Sequence, residues 1–543
     1  MSRFYESEVN ENSQPDYDAM WIAIEQEASK RKSALQQTNS TRRRRKFVPA
    51  AIVFSCFMVI AVPVFAGVAL NWDSLTGGRS VTNALNNGIG QRYDLSESNK
   101  GVTMSLNGVV TDGETMKMIV SLDSGADPTL YDAIGFERTT ITDESGTKEK
   151  ANGYLNYDKT SGKLLGIYET KDELQHNKKN YTLDAEDLVF YKDMDVPLKS
   201  DHKAGDVIST GSKQYPSIDI QSVAQAKNQV VVRYKVSASL SDGGRGNPHL
   251  IMKKNSSEYI QAVPTVLPND GSDLLIEQVF NLTQKEWEAA ELHFKYMEET
   301  KRVAGTWKFD FKADGNKASE AIFSRKLLSS AEFQQTTGIT LGQLVITPLE
   351  IVVQIQEDKS NERFKEGVVW YNTVRLAIGD KEIKGGYNIK GADPKKYQHV
   401  YGFESPEWYK DWSTVPMKLV LKDAVVTKHD PSKNWITLSQ PVEKKQSAEL
   451  KVDGYHIYFN YYMDGKDLIV ESESDSPGFK GVNQTMMRFD GEVVYPVGIS
   501  KGIVSTGVNV DRYENVAMDG KMELNPGFYS YYDSGRDVEV KLN

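Results

Sequence analysis

Cysteine is almost missing from this chain: Cys56 is the only one in 543 residues. With a single thiol no internal disulfide can form, so large domains must be held by apolar cores alone. Histidine is also scarce. The seven, at 176, 202, 249, 293, 399, 429 and 456, include no pair at the i, i+4 spacing of a helical zinc site. A basic surplus is lacking too, with 65 Lys plus Arg against 75 Asp plus Glu and a net charge of −10. That balance excludes the long body of the chain as a nucleic-acid binder, because phosphate neutralisation needs a basic face. No metal site, cofactor site or catalytic site is expected.

Long apolar runs are absent with one exception. Phe47 to Leu70 carries no charge and is fenced on its N-terminal side by Arg42, Arg43, Arg44, Arg45 and Lys46. As a helix it spans roughly 36 Å at about 1.5 Å per residue, enough for a hydrocarbon core of about 30 Å. A basic fence stays on the cytoplasmic side and also meets anionic headgroups. The expected topology is single-pass in the cell membrane, with residues 1–46 inside and the body from about Trp72 outside. One rival is a cleaved signal peptide, since Val64 and Ala66 precede Gly67. The long acidic segment ahead of the run and the length of the run itself oppose it. A buried helix of a soluble domain seldom carries so long a run without a charge.

Residues 1–46 are too few to enclose a core. Within them Tyr17, Met20, Trp21, Ile24 and Ala28 recur along one helical stripe. Pro15 and Asp16 suit the helix start, and Lys30, Arg31 and Lys32 suit its end. The stripe has nothing to pack on inside the head. It either lies on the inner membrane surface or docks into a groove of a cytoplasmic protein with Trp21 as anchor. Flanking acids (Asp16, Asp18, Glu25 and Glu27) oppose an anionic bilayer and favour the protein partner.

Beyond Trp72 the hydrophobic period becomes two, the mark of half-buried antiparallel strands. Asp112-Gly113 and Asp464-Gly465 are hairpin signals. Alternating openings at about 101, 217, 338 and 449 give a period of roughly 110–120 residues, a domain-sized repeat. Many short strands between turns read as Ig-like β-sandwiches. The fold class is thus mostly β: tandem Ig-like antiparallel β-sandwiches outside the membrane, one transmembrane α-helix and a short cytoplasmic amphipathic helix. The sandwiches are expected at 73–205, 206–320, 330–440 and 441–543. A capping box at Thr283 and Glu286 marks a short helix, and Ser80–Asn87 suggests another.

Two remaining motifs carry little chemistry. Gly498-Ile-Ser500-Lys-Gly502 fits the nucleophile pattern, but strand-like residues follow where a helix is required. Clustered aromatics in the last repeat (Tyr455, Tyr458, Phe459, Tyr461, Tyr462, Tyr529, Tyr531 and Tyr532) read as core and cross-strand pairs or as a ligand patch.

Several short segments resemble a family of Gram-positive membrane proteins linked with extracytoplasmic-function sigma factors. They are Asp16-Tyr-Asp-Ala-Met20-Trp21-Ile22, the fence and span, Ala84–Gln91, Gly101-Val-Thr-Met104, the Asp112-Gly113 hairpin and Gly305–Phe311. That family's ectodomain is domain of unknown function 4179, and residues from about 338 to 441 are similar to domain of unknown function 5643. The resemblance implies an anti-sigma-factor-like role in which the head holds a sigma factor at the membrane. The head departs from the zinc-binding variety, since it has no His or Cys. The alternative is a surface protein that docks a wall polymer or another protein through its sandwiches.

Overall fold

A computed structural model describes residues 70–542, apart from 172–177, 199–202, 227–228, 239–245, 255–258, 268–272, 358–366, 391–397, 406–410, 430, 497–508 and 517–519. The expected helix at 17–28, the fence at 42–46 and the apolar run up to 69 lie outside the described residues. Among the described residues no helix is long and apolar enough to cross a membrane. They are mostly strand, arranged in antiparallel sheets as the alternation requires.

The chain enters through helix α1 (Gly78–Asn86) and builds a two-layer unit. Strands β1 (Gln91–Asn99), β2 (Val102–Thr111) and β3 (Thr115–Asp123) form one layer, then β4 (Ala133–Asp143) and β5 (Lys148–Lys150) the other. The chain returns through β6 (Asn152–Asp158) and β7 (Lys163–Lys171) and crosses again to β8 (Lys178–Pro197). The second unit repeats the path with β9 (Val207–Ser209), β10 (Ser217–Ala226), β11 (Gln229–Val236), β12 (His249–Lys253) and β13 (Tyr259–Gln261). It finishes with β14 (Thr265–Leu267), β15 (Leu274–Phe280), helix α2 (Gln284–Ala289) and β16 (Glu291–Asp314).

After α3 (Gly315–Glu320), the third unit comprises β17 (Phe323–Lys326), helix α4 (Ala331–Thr337), β18 (Ile339–Ile346), β19 (Glu350–Glu357), β20 (Val368–Ile378) and β21 (Lys381–Lys390). It continues into β22 (Gln398–Glu404) and β23 (Met417–His429). The fourth holds β24 (Ile436–Thr437), β25 (Gln446–Val452), β26 (Tyr455–Asp464), β27 (Asp467–Glu473), β28 (Phe479–Phe489) and β29 (Glu492–Val494). It ends with β30 (Asn509–Tyr513) and β31 (Met522–Tyr532), and β32 (Val538–Lys541) closes the chain.

One strand order recurs. The first layers run β1-β2-β3-β7-β6, β9-β10-β11-β15-β14, β17-β18-β19-β22-β21 and β25-β26-β27-β30. The opposing layers run β5-β4-β8-β16, β13-β12-β16-β8, β21-β20-β23-β32 and β29-β28-β31-β23. Units one and two therefore share the pair β8/β16, and units three and four share β23. Each pair of units forms a lobe in which the chain runs out along one long strand and returns along its neighbour.

The shared strands feed two cores. Strand β8 has 20 residues and β16 has 24, roughly 65 and 80 Å at about 3.3 Å per residue. They pair from His293↔Pro197 to Asp314↔Lys178. At one end Leu183, Leu188, Phe190, Trp307, Phe309 and Phe311 meet Met104, Leu106, Met118 and Val120. At the other end Met194, Val196, Leu292, Phe294 and Tyr296 pack with Ile218, Val232, Tyr234 and Phe280. The buried Gln278 pins the layers of the second unit, accepting from Leu250 N at 2.8 Å and donating to Leu250 O at 3.0 Å and Ala262 O at 2.7 Å.

Side chains thus do not divide serially as the boundaries 73–205, 206–320, 330–440 and 441–543 would have it. Trp307, Phe309 and Phe311 return to the first core. Val538, Val540 and Leu542 return to the third, with Leu419 and Leu421. The reason is that each long strand runs on from one core to the next, with bulges in the β8/β16 pair but no break in the strand between them.

Candidate functional site at the lobe junction

The segment that follows the apolar run is built into the fold. Trp72, Leu75, Val81, Ala84, Leu85 and Ile89 pack on the outer face of the first sheet, against Val110, Ile119, Leu165 and Ile167. Small residues make that approach possible. A Cβ on Gly78 would lie 1.8 Å from Trp72 O, and one on Gly108 would lie 2.7 Å from Leu85 Cδ1. Ala318 of α3 and Leu349, from the turn between β18 and β19, join the same cluster. The segment therefore touches both lobes.

Polar contacts across the junction are specific. Ser80 N–H of α1 donates to Glu404 Oε1 at 3.1 Å. Thr347 Oγ1 donates to the buried Asp112 Oδ2 at 3.0 Å, while Asp112 Oδ1 accepts from Glu114 N and Thr115 N at the hairpin tip. Lys390 pairs with Glu350 and reaches Glu114 Oε2 at 3.6 Å. Between the hairpin and β18/β19 lies a cleft of about 340 Å³, bordered by Asp112, Glu114, Thr347, Glu350 and Lys390.

A second contact joins units two and four. Ala224, Val231 and Val279 meet Ile469, Val510 and Tyr462. Arg233, only 7% exposed, reaches Glu277 Oε2 at 3.2 Å and Glu514 Oε1 at 3.3 Å. Glu471 is buried, and desolvation pushes its carboxyl above the usual range despite Lys445 at 2.8 Å.

The residues expected to carry function from sequence fall elsewhere. Tyr17, Met20, Trp21, Ile24 and Ala28, the fence Arg42–Lys46, and Gly498–Gly502 all lie outside the described residues. His293 is buried beside Asp195, with Nδ1 at 2.5 Å from Oδ1. His429 is stacked on Phe528 at 3.9 Å between centroids. Among the described residues no group of three or more His, Cys, Asp or Glu side chains could hold a metal ion. Of the aromatic cluster, Phe459, Tyr461 and Tyr529 are core. Tyr455 and Tyr531 lie half-buried 5.2 Å apart, and Tyr532 is 42% exposed. Sequence reasoning missed the junction because Ser80 and Glu404 are 324 residues apart. The one local signal was the apolar spacing through Ala84 and Leu85.

No family model matches the chain, and no curated protein does. Among solved structures, one described as "The crystal structure of the conserved domain protein from Bacillus anthracis" aligns over 84% of this chain and 92% of its own. The identity is 10% and the TM-score 0.27.

Proposed function

We propose that the chain is a membrane-anchored signalling protein of the anti-sigma-factor-like kind. In this reading residues 47–70 span the cell membrane and the stripe Tyr17, Met20, Trp21, Ile24 and Ala28 holds an extracytoplasmic-function sigma factor at its inner face. The external Ig-like sandwiches sense envelope state. The supporting observation is that residues 70–89, which connect the apolar run to the body, sit in the contact between both lobes. A rearrangement of the body would reach the base of the span through packed side chains rather than through a slack linker. The head tests this directly. Residues 1–46 used as bait should recover a sigma factor, and Trp21→Ala should lose it, since a buried aromatic anchor typically contributes about 2 kcal/mol or more. An empty pulldown with the unaltered head would sink the proposal.

A second reading draws on Tyr455, Tyr531 and Tyr532, whose partly open rings in the fourth unit suit a wall polymer or a protein ligand. Deleting residues 1–41 should then leave the cellular phenotype intact, whereas altering these tyrosines should abolish it.

A further inference from the structure

Helix α1 has an N-terminal defect that its own lobe does not repair. Its N-cap is Gly77, at φ +77°, which has no side chain to accept an amide as Ser, Thr or Asp would. The amide that such a cap would satisfy belongs to Ser80, a residue with no exposed surface. It donates instead to Glu404, at the end of β22 in the other lobe. That carboxylate also stands at the positive end of the helix dipole. Leu349 of the same lobe completes the apolar patch beneath the helix. A helix of nine residues is too short to persist in water unaided, so its existence depends on packing and capping.

We infer that α1 is a conditional latch, held in place only while the third unit stays against the first. Moving the third unit away removes the acceptor of the Ser80 N–H and opens the patch at Leu349, so α1 loosens. Anything that separates the lobes, a ligand wedged in the cleft or tension on the chain, then frees residues 70–89. That this release acts on a membrane span rests on the signalling reading above; the coupling between lobes and helix does not.

Hydrogen exchange read by mass spectrometry on the full-length protein in mild detergent separates the possibilities. Glu404→Ala should raise exchange in peptides covering 78–89 by about 2- to 30-fold, the range expected for loss of a cap. Glu404→Gln keeps a carbonyl acceptor and should raise it less. Leu349→Ala should raise it in the same peptides. Glu382→Ala on β21, which alters an exposed pair with Arg375 of β20, should not. Unchanged exchange in α1 with Glu404→Ala overturns the latch, as does an equal rise in β2 and β22, which would make Glu404 a general stabiliser. Sigma-factor recovery by the head is a separate readout, so either idea can fail alone.

Discussion

At Asp187 in β8 and Asp423 in β23 the backbone takes φ +49° and +57°, a left-handed conformation that costs an L-residue roughly 1–2 kcal/mol. Both residues lie inside a long strand rather than at its end, and both use the side chain there. Asp187 accepts from Gly305 N at 2.9 Å and from Arg302 at 3.3 Å, and Asp423 accepts from Thr373 Oγ1 at 2.5 Å. Asp187→Ala should destabilise the first lobe by about 1–3 kcal/mol in denaturant titration, and Asp187→Asn, which tolerates the conformation, by less. Glu286 makes a different residue-scale case. Hydrogen bonds from Lys254 first, then from the Thr283 amide and hydroxyl, hold its carboxyl down to about 2. A folded value below the unfolded one means that its contribution is present above the unfolded value near 4.3 and is lost as pH falls toward 2. Exchange protection of α2 should therefore drop between about pH 5 and 2, and Thr283→Ala should weaken it at every pH.

The decisive elements are the strands that belong to two cores. Since β8 and β16 carry side chains of both the first and the second unit, neither core can dissolve without disturbing the pair. Phe294→Ala, wholly inside the second core, should cost about 3–5 kcal/mol. It should also lower exchange protection at Leu183–Phe190 in the first unit while leaving β18 and β19 unchanged. Two independent transitions within the first lobe would contradict shared-strand cooperativity. Much at this scale was legible in the sequence. The turn at Asp112-Gly113, the capping box at Thr283 and Glu286, and the alternation of Met116, Met118, Val120 and Leu122 all depend on neighbours a few residues away. The length of β16 was not, because bulges at Glu299/Lys301 and Val303/Thr306 interrupt the pattern just where it changes cores.

Across the whole described molecule, two contacts join the lobes. One is the patch around α1, with its hydrogen bonds to Glu404 and Asp112; the other sets Arg233, Glu277 and Glu514 beside a small apolar cluster. Removing the buried cation leaves Glu277 beside a desolvated surface, and breaking a buried pair this way costs about 3–5 kcal/mol, less here because Glu514 is 44% exposed. Arg233→Ala should raise exchange in β11 and β30 together, whereas Glu514→Ala should have a much smaller effect.

The sequence alone determined the antiparallel β class, the hairpin turns and the short capped helix. Each follows from backbone geometry and from side chains within a few positions of one another. It also supplied the apolar run and the striped head, on which the proposed function rests. Tertiary structure alone decided that strands 178–197 and 291–314 serve two cores, and that Glu404 completes a helix 324 residues away. Alternation tells a strand which face to bury, but a face buries equally well against either core. Only the register of the paired strands chooses between them.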